Sequence, residues 1–147
     1  MRRSIGLATN TLNAPDGADS DRDVVLILVD AEKDDPKRVA GDIRSHAIGL
    51  PEPPARVICL AVRSYESWFA ASVDSLRSEI DVSNPEPAMD DTRVETLGQP
   101  WLKQRRQRYS ETIDQPRMTS KMNLQLCRNR SPSFDDLVGA ISEVLET

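Results

Sequence analysis

The chain has 147 residues, 24 acidic against 19 basic, with 29% charged residues, ten prolines and a mean hydropathy of -0.50. That is the profile of one loop-rich domain, 1–147, large enough to bury a core without staples. No apolar run approaches the roughly 18 residues of a membrane span, and Met1–Gly6 lacks the apolar stretch of a signal peptide, so no membrane partner is expected.

Net charge is -5 but unevenly spread: Trp101–Arg130 is net +6 and the other 117 residues carry -11. Two cysteines without metal-ligand spacing, Cys59 in an expected strand and Cys127 in an expected helix, fit a reducing cytoplasm better than a disulfide framework. Arg2–Leu12 suits a short helix with Ile5, Ala8 and Leu12 on one side, or alternatively an edge strand using Ile5 and Leu7. Asn13–Asp23 is dense in turn residues and reads as an exposed loop.

Val24–Val29 (VVLILV) is an unbroken apolar run of one strand's length, followed at once by Asp30 and Glu32. Such a run without alternation predicts a strand covered on both faces, as in a parallel sheet flanked by helices. Asp35–Pro36 is a helix start, and Val39, Ala40, Ile43 and Ala47 continue at helical spacing until Gly49 and the Pro51–Pro54 cluster end it. Arg56–Val62 is a second apolar strand, so the three segments form a βαβ unit with parallel strands. Glu66 opens a helix carrying Trp68, Phe69 and Ala70. Asp81–Asp91 is an acidic, proline-bearing loop. The portion 99–147 is helical: Gln99–Tyr109, strongly basic; Thr119–Cys127, with Met118, Met122 and Leu126 in line; and a helix capped by Ser131–Pro132 with a stripe of Phe134, Leu137, Val138, Ile141, Val144 and Leu145. Two parallel strands are too few for a stable sheet, and no third of similar quality is visible. A weak segment, a lost strand or a partner must supply it.

Parallel strands bring their carboxyl ends to one edge, where ligands collect. Asp30, Glu32 and Glu66 fall there and are the candidate catalytic and metal-binding carboxylates, since hydrated Mg²⁺ takes hard oxygen ligands. The alternative is that Asp30 and Glu32 hydrogen-bond the next turn while Glu66 sits favourably at a helix N-terminus. Lys103, Arg105, Arg106 and Arg108, extended by Arg117 and Lys121, could track a phosphate backbone, with Trp101 and Tyr109 as stacking surfaces. A solvated helix face that pairs with the acidic body is the preferred alternative. His46 is the only histidine and falls near a helix C-terminus, which excludes a histidine-based triad.

LILVDAEKDD, RVICLAVRSYESWFAAS and RYSETIDQPRMTSKMNLQLCRNRSPSFDDLVGAI resemble, in that order, a bacterial family, domain of unknown function four-two-seven-six, grouped with TOPRIM-like domains. The matches are Asp30–Ala31–Glu32 for an Asp-x-Asp-like motif, Glu66–Ser67–Trp68 for a Glu-x-Trp element, and Tyr109 with Ser131–Pro132–Ser133–Phe134 for the tail. The resemblance implies an α/β, TOPRIM-like (Rossmann-like) fold with Mg²⁺- or Mn²⁺-dependent phosphoryl transfer on DNA or RNA. It also implies phage-defence loci shared with an AAA-type ATPase partner. Two departures stand out: Glu32 replaces the second aspartate, and no strand with Glu-Gly precedes Asp30. A domain lacking its first βα unit is therefore expected, with weak or no nuclease activity alone and an open strand edge that favours a homodimer. The other reading is a non-catalytic module that docks an ATPase or nucleic acid.

Overall fold

The computed structural model describes residues 24–51, 56–81 and 91–146, so the Arg2–Leu12 and Asn13–Asp23 expectations and most of the Asp81–Asp91 loop lie outside the described residues. The elements run β1 (Val24–Asp30), α1 (Pro36–Ile48), β2 (Arg56–Val62), α2 (Glu66–Ala71), a 3-10 turn (Val73–Leu76), α3 (Asp91–Val94), α4 (Gln99–Arg105), α5 (Asp114–Thr119), α6 (Leu124–Arg130) and α7 (Pro132–Leu145). The architecture is mixed α/β: a small parallel sheet flanked by helices, then a helical C-terminal part.

β1 and β2 pair in parallel from Val24↔Arg56 to Asp30↔Val62, with α1 as the crossover. The start of α1 follows from two residues. Asp35 accepts the Arg38 N–H at 2.8 Å, and Pro36 takes the first helical position, where no donor is needed. At the other end His46 Nδ1–H donates to the Asp42 carbonyl at 2.7 Å.

The expected burial of β1 on both faces is not met. Val24, Leu26 and Leu28 keep 39%, 44% and 39% of their surface exposed, while Val25, Ile27 and Val29 are half-buried. The physical reason is supply. Among the described residues the sheet has two strands, and both α1 and α7 pack on β2. An apolar run shows what a strand is able to bury, not whether a neighbour is there to bury it.

The core sits instead around α2, all six of whose residues are buried. One cluster joins Phe69, Ala70, Val73, Leu76, Ile80, Trp101, Leu102 and Met118. A second joins Val62, Trp68, Ala71, Val94, Cys127 and Phe134. Trp68 meets Phe134 edge-to-face at 5.1 Å, and its indole N–H donates to Ser133 Oγ at 2.9 Å. Cys59 and Cys127 are free and buried.

Helix limits differ from the sequence reading at two places. α4 ends at Arg105, because Arg106 turns extended at φ -134° and ψ 95°. The expected Thr119–Cys127 helix is split between α5 and α6, because Asn123 leaves helical geometry to cap α6, its side chain accepting the Leu126 N–H at 3.0 Å. Ser131 caps α7 as expected, but the apolar stripe fades along that helix, from buried Phe134 to Leu145 at 80% exposure. Among the described residues no helix is long and apolar enough to cross a membrane.

Candidate functional site

The parallel register brings Asp30 and Val62 to one edge, and the chain beyond each strand stays laced to the other. Ala31 N–H donates to Val62 O at 2.6 Å and Glu32 N–H to Arg63 O at 3.0 Å. Glu32 lies in the left-handed region at φ 53°, an unusual backbone state for a residue with a Cβ. From the β2 side the chain turns through Ser64 into α2. Tyr65 N–H donates to Asp30 Oδ1 at 3.1 Å, tying the end of β1 to the start of α2.

Glu66 is only 4% exposed. Its two oxygens are held by two hydroxyls: Ser64 Oγ donates to Oε2 at 2.6 Å, and Tyr109 Oη donates to Oε1 at 3.3 Å. Gly98 makes room for this arrangement, since a Cβ there would come within 3.1 Å of Ser64 Oγ.

Electrostatics single out Asp30. Desolvation of its carboxyl, then repulsion from Glu66, push its pKa up to about 6, against the opposing Tyr65 N–H; Glu32 and Glu111 add to the rise. The Tyr109 phenol is also driven upward, by desolvation first and Glu66 second, so it stays a proton donor at neutral pH. Among the described residues no lysine or arginine forms an ion pair with Asp30 or Glu66. The structure thus brings Asp30 and Glu66 together, with Glu32 exposed on the adjoining turn. Among those residues, no three His, Cys, Asp or Glu side chains gather closely enough to hold a metal ion.

The chain belongs to the family described as Domain of unknown function (DUF4276), whose model matches residues 2–142. All the segments that carry Asp30, Glu66, Tyr109 and the Ser131–Phe134 turn fall inside that match. No curated protein and no solved structure matches the chain.

In this member of the family the basic residues divide into two groups. Arg106, Arg117 and Lys121 converge on two acids buried to 8% side-chain exposure. Arg106 meets Asp114 at 2.6 Å and Glu79 at 3.5 Å, Arg117 meets Glu79 at 2.9 Å and Asp114 at 3.1 Å, and Lys121 pairs with Glu79. Arginine hydrogen bonds hold the Asp114 carboxyl below the ordinary carboxylate range, and a lysine bond does the same for Glu79. These three bases therefore join α4, α5 and the turn after Leu76 to one another. Lys103, Arg105 and Arg108 form the other group, at the end of α4 and in the loop beyond. Lys103 donates to Gln99 Oε1 at 2.7 Å, Arg105 lies 4.6 Å over the Trp101 ring, and Arg108 is exposed. Trp101, expected as a stacking surface for a base, is 7% exposed and part of the core, while Tyr109 is turned onto Glu66.

Two site residues escaped the sequence. Ser64 gave no signal beyond lying two positions before Glu66. Glu111 lies in the loop between α4 and α5, where Gln99 Nε2 donates to its Oε1 at 2.5 Å. Nothing local sets it apart from any other exposed glutamate.

Proposed function

We propose that this chain is a divalent-cation-dependent phosphoryl-transfer module acting on nucleic acid, with the two carboxylates of Asp30 and Glu66 holding a hydrated Mg²⁺ or Mn²⁺. One observation carries the reading. Two carboxylates without a cationic partner among the described residues lie at the carboxyl edge of two parallel strands, where desolvation first and repulsion from Glu66 second push Asp30 to about 6.

Glu79 and Asp114 are neutralised by arginine and lysine. Asp30 and Glu66, like Glu95 beside Ser131 and Ser133, receive only neutral donors among the described residues. A donor set of one or two carboxylates fits Mg²⁺, which keeps several waters and takes its remaining ligands from substrate phosphates. When bound, the ion would stabilise charge on a phosphoryl oxygen and lower the pKa of a bound water. The chain's own part is to orient: Tyr65 N–H fixes Asp30, and the Ser64 and Tyr109 hydroxyls fix Glu66. Of the bases expected to contact phosphate, Lys103 and Arg108 are exposed at the end of α4 and in the loop beyond. The TOPRIM-like resemblance accords with the same chemistry. A second reading, a non-catalytic module that docks another chain, is favoured by the exposed Val24, Leu26 and Leu28 row on one face of β1, a strand that among the described residues pairs only with β2.

The test is cleavage of end-labelled single- and double-stranded DNA and RNA over hours, with Mn²⁺ or with EDTA. Slow cleavage that requires Mn²⁺ and disappears in Glu66→Gln is expected. Substrate left intact by a parent protein that retains its fold would favour the docking module.

A further inference from the structure

We infer that Tyr109 is a positioning residue for the Glu66 carboxylate, and that the ion pairs of the basic segment serve to hold the loop that carries it. The inference rests on the cation-binding reading above and deepens it.

The loop between α4 and α5 is pinned at both ends. Arg106 Nη2 meets Asp114 Oδ1 at 2.6 Å, Ser110 N–H donates to Asp114 Oδ2 at 2.8 Å, and Asp114 N–H donates to Ser110 O at 2.7 Å. Arg106 also donates to the Glu79 carbonyl at 2.6 Å, and Asp81 N–H donates to the Arg105 carbonyl at 2.9 Å. Between these anchors Arg108 takes φ 62°, and the next residue, Tyr109, packs against the Phe69 cluster while its hydroxyl reaches Glu66 Oε1.

Left-handed backbone at a residue with a Cβ costs energy and persists only where surrounding structure imposes it. Among the described residues, the two non-glycine residues in that region are Glu32 and Arg108. One follows the strand that ends in Asp30; the other immediately precedes the tyrosine that touches Glu66. Both strained turns thus serve the acidic edge.

The nature of the Glu66 donors is the second support. Arg106, Arg117 and Lys121 neutralise Glu79 and Asp114 where those acids join elements together. Glu66 is as deeply placed, yet receives one hydroxyl on each oxygen. Two neutral donors fix the plane of a carboxylate while leaving its charge for a cation, as groups behind metal ligands do.

The experiment uses the full chain and Tyr109→Phe, which keeps the packed ring and removes only the hydroxyl. Mn²⁺ is titrated calorimetrically into each, and each is melted without metal. The expected result is a Kd for Mn²⁺ about 10- to 100-fold weaker in Tyr109→Phe, with the metal-free Tm close to that of the parent. Ser64→Ala, which removes the donor to the other oxygen, should weaken Mn²⁺ binding in the same direction. If the parent binds Mn²⁺ and Tyr109→Phe binds it equally well, whatever its Tm, the positioning role is overturned and the cation site stands. If the parent binds no Mn²⁺, the cation site fails and this role with it.

Discussion

Trp68→Ala is expected to lower the free energy of unfolding by about 3–5 kcal/mol, the usual range for removing a buried large aromatic side chain. A domain of this kind is typically stable by only about 5–15 kcal/mol in all. The large effect follows from where the side chain lies. Trp68 is 2% exposed and packs against Tyr65 at 4.9 Å, tilted, and against Phe134 at 5.1 Å, edge-to-face. The next residue, Phe69, belongs to the other cluster, so α2 is the element on which both halves of the core close. Trp68→Phe should lose much less, because a ring remains against Phe134 and only the indole bond to Ser133 goes. Urea unfolding followed by circular dichroism measures both. A cost for Trp68→Ala below about 1 kcal/mol, outside the range for such truncations, would move the centre of stability away from α2.

Asp30→Asn, in contrast, is expected to stabilise the metal-free protein at neutral pH. Asparagine keeps an oxygen for the Tyr65 N–H but removes the charge that desolvation and Glu66 disfavour. The sign follows from linkage. A carboxyl whose folded pKa is raised from 3.8 to about 6 binds its proton more tightly in the folded chain. Its contribution to stability is therefore best at low pH, declines as pH rises from about 3.8 to about 6, and stays lost above that. With a discount for solvent screening, the gain in Asp30→Asn at pH 7 is on the order of 1–2 kcal/mol. The acids with lowered pKa, Asp74, Glu79 and Asp114, act in the opposite sense: their contribution is present above the ordinary carboxylate range and is lost on acidification. Thermal melts from pH 4 to 8 in EDTA separate the two. Parent and Asp30→Asn should differ little at pH 4 and diverge by pH 7, and a constant difference at every pH would contradict the assignment.

The βαβ unit was legible because its signals are local. Two apolar runs of strand length, with Asp35–Pro36 and Gly49 bounding a helix between them, permit little else. From that unit alone, Asp30 and Glu66 could be brought to one edge. The centre of the fold was not legible in the same way. VVLILV is the most apolar stretch of the chain and looks like its organiser, yet half of its side chains find no cover among the described residues. The short ESWFAA segment is wholly buried, because helices far along the chain close over it.

The basic segment misled for a related reason. Composition counts the charges of Arg106, Arg117 and Lys121 but cannot see that Glu79, more than twenty residues upstream, folds back to meet all three. Tyr109 was legible as a motif residue but not as a partner of Glu66, and Ser64 and Glu111 became site residues only through tertiary contact. The sequence around Ser64 and Glu111 carries no trace of that.

The most direct test of the cation site is a calorimetric titration of Mn²⁺ into three metal-free proteins: the parent, Asp30→Asn and Glu66→Gln. The two variants each remove one charge while keeping side-chain shape, so the fold at the edge is disturbed little. Saturable binding of one Mn²⁺ by the parent, lost in both variants although Asp30→Asn melts higher without metal, is the predicted result. Equal Mn²⁺ binding by the parent and both variants, or none by the parent, would contradict a cation site built on Asp30 and Glu66.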